Sequence, residues 1–333
     1  GLSMVINPES LTADSISRAL SIPSALEATT FLKGKIQMIS LKVPEEGFLN
    51  GSSINSLSKK LPGIIVCAIE RDNNLLIPKG STKLQYGDKI NITGSMKDIK
   101  DFLEYTDLKT EKTKNVIICG GSSIAMYLAK NLIDMGMKVK IIEINEERCK
   151  LLSEKLPKVL IINGDVSDQY VLYEEGIDEC DAFVTLTNID EENIICSMFA
   201  SMQKVPKIIT KINHIDLDGV VEKAGIDTVI TPHKIATNQI VKYVRAMKNS
   251  EKSSCEAIYK FDNDSFEMLE FNIKKDFNGL NVKIKDLTLM DLISFNNTYR
   301  TRIDSRDCTN KEDAIKRAKE LGDYLVVALS TDE

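Results

Sequence analysis

Six residues, Gly120 to Ala125, read G-G-S-S-I-A directly after the apolar run Val116-Ile117-Ile118-Cys119. A dinucleotide-binding turn reads G-x-G-x-x-G: its first glycine makes the tight turn, its second lets backbone approach pyrophosphate, and its third allows close helix–strand packing. Here the first is intact and Ala125 is an accepted replacement for the third. Ser122 puts a side chain where phosphates would lie, with a hydroxyl that can also donate to them. The chemistry on offer is anion binding by free N–H groups and the positive end of a helix dipole, without a covalent step. Glu143 ends the next apolar run, Lys138 to Ile144, about twenty residues on, where a carboxylate binds ribose hydroxyls and repels a 2′-phosphate. NAD(H) is therefore favoured over NADP, with ATP, ADP or AMP as the other adenine nucleotides that fit. A plain Rossmann-like domain with a vestigial pocket is the bland alternative.

Two further segments belong to the same rim. Gly164-Asp165 follows the run Val159 to Ile162, and Asp165 either accepts from adenine or ribose or caps the next helix. Thr185-Leu186-Thr187-Asn188 closes a fourth strand, and Asp190, Glu191 and Asn193 open the helix after it, where capping explains some of the polarity.

Positioning these residues takes alternating elements. Ile124, Leu128, Ala129, Leu132 and Ile133 recur at helical spacing after the glycines. Strands at 182–185, 207–211 and 228–230 alternate with helices near 191–202 and 217–224. Six strands interleaved with helices specify an α/β fold, a Rossmann-like doubly wound parallel sheet, over residues 115–248. The flanks differ: short apolar stretches (36–43, 63–69, 89–92) separated by turn-rich segments make 33–105 a small α+β domain, and the pattern returns over 254–333. The charged stretch 106–114 reads as a linker.

An internal repeat joins these parts. Residues 1–16 align without a gap with residues 225–240: Gly1 with Gly225, Val5-Ile6 with Val229-Ile230, Pro8 with Pro232, Ile16 with Ile240. Residues 1–32 therefore read as the terminal strand and helix of a first, mostly missing Rossmann-like module, and the chain as a piece of something longer. Phe48-Leu49-Asn50-Gly51 and Gly87-Asp88 are echoed more loosely by Asp276-Phe277-Asn278-Gly279 and Gly322-Asp323. The implied plan is two copies of a nucleotide module followed by a small domain.

Composition narrows the function. The 333 residues suit two or three domains, and 43% hydrophobic with 28% charged residues describes a chain able to bury sizeable cores. A net charge of −6 speaks against nucleic acid. No apolar stretch nears the roughly 20 residues of a membrane span, and no secretory signal is visible, so the expectation is a cytoplasmic protein without direct membrane insertion. Seven scattered cysteines and two histidines form neither a disulfide framework nor a zinc site. An NAD-dependent oxidoreductase is the rival reading of such a sheet, but His214 and His233 lack a sequence partner and read as polar residues at helix starts.

The ordered motifs I-I-C-G-G (117–121), K-I-I-E (140–143), N-G-D (163–165), T-L-T-N-x-D-E-x-N (185–193) and V-I-T-P (229–232) resemble the RCK domain family, also called KTN. N-P-E (7–9), I-P-x-G (77–80) and the two G-D pairs are similar to that family's connecting segment and C-terminal domain. In this tandem form the resemblance extends to TrkA-type potassium uptake regulators and covers essentially the whole chain. It implies a cytosolic regulatory subunit, a homo-oligomer (dimer or higher), that docks on an integral membrane potassium transporter subunit and gates it according to bound nucleotide. It places Gly120, Gly121, Glu143 and Asp165 at ligand contacts, in a site expected to include Ser122, Ser123, Ile124, Val166, Thr187, Asn188 and Asn193, with no metal. Many relatives carry Gly and Arg at positions 122 and 123, so the two serines bear on phosphate affinity. Some relatives hold cyclic dinucleotides in the C-terminal domain, where Arg300, Arg302, Arg306, Lys283 and Lys285 would be the candidates.

Overall fold

A computed structural model describes residues 5–31, 35–72, 74–108, 112–214, 226, 228–249, 255–261, 266–271 and 325–328. The expected helix at 217–224 and the basic residues between 283 and 306 lie outside the described residues, as do Gly1 and Gly225.

Helix α1 (Pro8–Ser21) starts on proline, whose fixed φ suits a first helical turn, with Asn7 capping it by accepting from the Ser10 N–H. Antiparallel strands β1 (Glu27–Phe31), β2 (Ile36–Lys42), β3 (Ile65–Arg71), β4 (Asn74–Leu76) and β5 (Lys89–Ser95) form a sheet of order β1-β2-β5-β3-β4. Helices α2 (Ile54–Lys60) and α3 (Met96–Tyr105) join it through a core that includes Leu57, Ile90, Ile92, Ile99 and Phe102. Strand β1, which falls in the 1–32 stretch assigned by repeat to the first nucleotide module, pairs along its length with β2 in this small sheet. Val5 and Ile6, the counterparts of Val229-Ile230, are not in a strand, and Val5 is exposed. Among the described residues the helix α1 keeps the repeat. The G-D pair has a structural use: Asp88, buried, takes both Nε and a terminal nitrogen of Arg71 at 2.7 Å and the Gln85 N–H at 2.8 Å, locking the turn into β5.

The next unit alternates: β6 (Asn115–Cys119), α4 (Ser123–Asp134), β7 (Lys138–Glu143), α5 (Glu146–Lys155), β8 (Leu160–Asn163), α6 (Gln169–Glu174), β9 (Ala182–Thr185), α7 (Asp190–Met202), β10 (Lys207–Lys211), β11 (Val229–Ile230) and α8 (Pro232–Asn249). Every pairing is parallel, in the order β11-β10-β9-β6-β7-β8. Near-continuous apolar runs are what a sheet covered on both faces requires, and Val116, Ile118, Ile141 and Val184 on one face, with Ile117, Ile142 and Phe183 on the other, are all buried. The order reverses at β6, which has β7 on one side and β9 on the other, and a crevice opens at the carboxyl ends there.

Helix α1 joins this second unit. Its Ala13, Ile16, Ala19 and Leu20 enter the core under α4, and Asn131 of α4 donates to Asp14 at 2.9 Å and to Ser17 at 3.3 Å. At the opposite end of the sheet, buried Lys207 donates to the Ala25 carbonyl at 2.5 Å and to Thr228 Oγ1 at 3.0 Å, pinning the segment between α1 and β1. The stretch read as a linker also takes part, since buried Thr113 donates to the Leu20 carbonyl at 3.2 Å. Beyond α8, strands β12 (Cys255–Phe261), β13 (Phe266–Phe271) and β14 (Leu325–Ala328) form a further sheet, with β14 parallel to β13.

Candidate functional site: a nucleotide-sized cleft at the strand-order reversal

A cleft of about 980 Å³ lies over the carboxyl ends of β6, β7 and β9. Of the residues expected from sequence, Gly120, Gly121, Ser122, Ser123, Ile124, Glu143, Asp165, Val166, Thr187 and Asn188 line it.

Gly120 turns the chain from β6 into α4 at φ +94°, a backbone region that a side chain disfavours. A β-carbon there would sit 2.9–3.1 Å from the backbone of Thr187 and Leu186, which has no slack because the Leu186 N–H donates to the Cys119 carbonyl at 2.7 Å. Gly121 has a different constraint: a β-carbon would meet Leu152 Cδ1 at 2.6 Å and Glu143 Oε2 at 2.9 Å. The peptide of Gly121 is thus gripped from both sides. Its N–H donates to Glu143 Oε2 at 2.6 Å, and its carbonyl accepts from Arg148 Nε, also at 2.6 Å. Glu143 Oε1 accepts from the Asn145 N–H at 2.8 Å. Each carboxylate oxygen retains a second lone pair, so Glu143 positions the turn and still has acceptor capacity for ribose hydroxyls.

Ser122 does not merely crowd the phosphate position. It is the N-cap of α4, its Oγ accepting from the Ala125 N–H at 3.3 Å, so one of the orphan N–H groups of a helix start that lines the cleft is already engaged. Asp165 caps no helix; Asp168 performs that role for α6. Asp165 Oδ1 instead takes the N–H and hydroxyl of Ser167 at 2.8 and 2.7 Å, which hold its carboxyl below the usual range.

Asn193 departs from expectation. It is fully buried, its amide nitrogen donates to the carbonyls of Thr187 and Lys211, and its oxygen accepts the Thr187 N–H, with the Thr187 hydroxyl 2.9 Å away. With both ends of its amide occupied, it braces the ends of β9 and β10 and is not among the residues that line the cleft.

Sequence reasoning missed several residues. Glu9, in the first turn of α1, lines the cleft only because α1 packs on α4, and nothing in its local sequence signals that. Arg148, Glu147 and Leu151 arrive from α5, and helical spacing after Glu143 was the available signal. Lys211 lines the cleft from the end of β10 and is buried, its pKa lowered by burial against an opposing pull from Asp190.

His214, for which the sequence marks no triad partner, meets a carboxylate in the fold. Its Nδ1 lies 2.8 Å from Asp190, a carboxylate that also takes the His214 N–H at 3.0 Å and the N–H and side-chain amide of Asn213 at 2.9 and 3.0 Å. Burial alone would raise Asp190, but the bonds from His214 and Asn213 outweigh it and hold the carboxyl below its usual range. The His214 side chain is 80% exposed and is not among the cleft residues, so this pair ties the β10 exit to α7. Burial pushes the thiols of Cys67, Cys180 and Cys196 up to about 12, leaving them un-ionised at neutral pH.

With this geometry in place, comparison with known proteins gives a family. Residues 116–232 match the TrkA-N domain and residues 38–107 the TrkA-C domain. The chain is similar to the Trk system potassium uptake protein TrkA of Halomonas elongata, 32% identical over 246 residues, covering 73% of this chain and 54% of that one. For the protein of the same name from Haemophilus influenzae the identity is 31% over 243 residues, covering 72% and 53%. The chain thus spans about half the length of these curated relatives. In fold it resembles the crystal structure of the GsuK RCK domain, with TM-score 0.55 and 17% identity over 78% of this chain and 56% of that one. It likewise resembles the GsuK channel bound to NAD, with TM-score 0.53 and 19% identity over 75% and 45%. A small TrkA-C domain followed by a parallel-sheet TrkA-N domain, in a chain that aligns with TrkA across both, means that the protein belongs to the TrkA family.

Proposed function

We propose that this protein is a nucleotide-sensing, non-catalytic regulatory subunit of a potassium uptake system, in which occupancy of the cleft gates an integral membrane transporter subunit. The observation that carries the reading is the Gly120 turn, which holds the open N-terminus of α4 beside Glu143 at the strand-order reversal. A carboxylate and a helix N-terminus one strand apart support this reading, since an adenine nucleotide needs an acceptor for its ribose and a helix end for its phosphate. NAD(H) is the favoured ligand, since Glu143 repels a 2′-phosphate and a fold relative, the GsuK channel, has NAD bound; ATP, ADP and AMP share the adenosine half. The relatives named for potassium uptake supply the transport context.

Gating follows from differential affinity: a nucleotide that binds one arrangement of the modules better shifts the population toward it, and the partner responds to that arrangement. Helix α1, packed on α4 and contributing Glu9 to the cleft, is the element through which occupancy reaches the preceding small domain. A cytoplasmic position, peripheral to the membrane through the transporter, and assembly as a homo-oligomer complete the reading; among the described residues no helix is long and apolar enough to cross a membrane.

Titration calorimetry with NADH, ATP and cyclic di-AMP tests the ligand. Glu143→Gln loses the charge that ribose hydroxyls bond to and keeps an acceptor for only one of the Gly121 and Asn145 N–H groups, so NADH affinity should fall about tenfold while circular dichroism shows the fold retained. Unchanged affinity would mean that the ribose is held elsewhere. Cyclic di-AMP binding with no response to NADH or ATP would move the sensor to the C-terminal domain.

A further inference from the structure

Two cores meet at a short passage of chain. Ala13, Ile16, Ala19 and Leu20 of α1 belong to the core of the parallel sheet, whereas Ile22 and Ala25, which follow at once, pack into the core of the small antiparallel sheet. The chain thus enters the small domain between Leu20 and Ile22. It leaves between Leu108, packed on the small-sheet core, and Thr113, whose hydroxyl donates to the Leu20 carbonyl at 3.2 Å. Entry and exit lie side by side. Two adjacent segments joining two separate cores have the geometry of a hinge, since dihedral rotations there swing one core against the other without unpacking either.

Lys207 grips the chain just beyond this passage. It opens β10, is 5% exposed, and its ammonium donates to the Ala25 carbonyl at 2.5 Å and to Thr228 Oγ1 at 3.0 Å. Thr228 Oγ1 in turn donates to the Leu26 carbonyl at 3.4 Å, and the Leu26 N–H donates to the Ser40 carbonyl at 2.8 Å, which carries the bonding into β2. Ser40 Oγ then donates to Asn91 Oδ1 of β5 at 2.5 Å, and Ala25, Thr228, Ser40 and Asn91 are all buried. A buried polar relay therefore runs from the edge of the parallel sheet into the small one. Thr228 directly precedes β11, so the same ammonium also touches the strand that leads into α8.

A lysine gives this contact two stable conditions. Closed, the ammonium and the Ala25 carbonyl satisfy one another away from water; open, a strongly hydrated ammonium on a flexible stem and a freed carbonyl are each satisfied by solvent. The costly condition lies between them, dry and unpaired, so the contact opens as a unit. We infer that Lys207 is the latch of an interdomain hinge: a change in the angle between the first small domain and the parallel sheet begins with release of its ammonium from the Ala25 carbonyl into water. The latch acts whether or not the cleft holds a nucleotide, so a failure of nucleotide binding leaves it standing.

Hydrogen exchange of the full chain without ligand, read by mass spectrometry, tests it in the parent, Lys207→Met and Thr228→Val. Methionine keeps the unbranched stem and removes the donor; valine keeps the volume of Thr228 and removes its bond to the Leu26 carbonyl. Lys207→Met should speed exchange over residues 22–31 by about tenfold or more while residues 116–119, 182–185 and 207–211 change by less than about twofold, because the hinge opens and the sheets stay folded. Thr228→Val, which leaves the bond from Lys207 to Ala25 in place, should speed the same residues by about threefold. Equal acceleration over 207–211 and 22–31 would make Lys207 a support of its own sheet edge, and no acceleration over 22–31 would mean that the passage is held elsewhere; either overturns the assignment. Should Lys207→Met fail to fold, Thr228→Val decides: selective acceleration over 22–31 upholds the latch, and its absence rejects it.

Discussion

Gly120→Ala is expected to abolish nucleotide binding and to destabilise the TrkA-N unit by about 2–5 kcal/mol. Two costs add. An L residue held at positive φ carries roughly 1–2 kcal/mol, and the added methyl presses on the Thr187 and Leu186 backbone at 2.9–3.1 Å, where overpacking typically costs about 1–3 kcal/mol. Relief by a small shift is closed off because the neighbouring strand end is hydrogen-bonded to Cys119. Any relaxation that does occur rotates the Gly121 peptide away from Glu143 and Arg148, misdirecting the α4 N-terminus. Denaturant unfolding and calorimetry check both halves. A variant with parental stability and parental NADH affinity would show that the turn is not the cradle described here. Gly136, at φ +82° with open space around it, is the control: alanine there should cost only the backbone strain and leave binding intact.

Asp190→Ala carries the second large effect. The carboxylate serves the N–H groups of Asn213 and His214 and the Asn213 side chain from a position that is 3% exposed. Removing it strands these donors at about 1–3 kcal/mol for each that stays dry, so a loss of about 2–5 kcal/mol is expected, and Asp190→Asn, which keeps an acceptor, should lose less. The same group sets an acid limit. Its folded-state pKa is depressed below the ordinary 3.8, so its stabilisation is present above that value and is lost as pH falls below it through the folded pKa. Unfolding free energy measured between pH 5 and pH 2.5 should fall less steeply in Asp190→Asn than in the parent; identical slopes would mean that another carboxylate governs the acid limb.

Much of this architecture was legible along the chain. Runs such as Val116–Cys119 and Ala182–Thr185 are apolar without alternation because both faces of a parallel sheet are covered, and their spacing with helices makes the doubly wound fold readable from sequence. The glycine turn, Glu143 and Asp165 were legible for a related reason: in this topology the ligand rim lies at strand ends, and strand ends are visible in sequence. Asn193 was misassigned because a polar residue at a helix start looks the same whether it faces a ligand or a backbone carbonyl. The repeat was legible for α1, whose Pro8 and Ile16 match Pro232 and Ile240.

What the sequence determined by itself is therefore the local and periodic part: which segments are strands, where the turn lies, and which carboxylate sits beside it. Tertiary structure alone decided the residues that reach the cleft from elsewhere. Glu9 comes from more than a hundred residues away through the α1–α4 packing, Lys211 becomes a buried cation at the cleft because strand order sets β10 beside β9, and His214 acquires Asp190 across the same edge. Hydrophobic periodicity specifies which face of an element is buried but not which other element covers it. That choice depends on the complementary shapes of cores distant in sequence, and it is what turns a glycine-rich turn into a cleft with two ends.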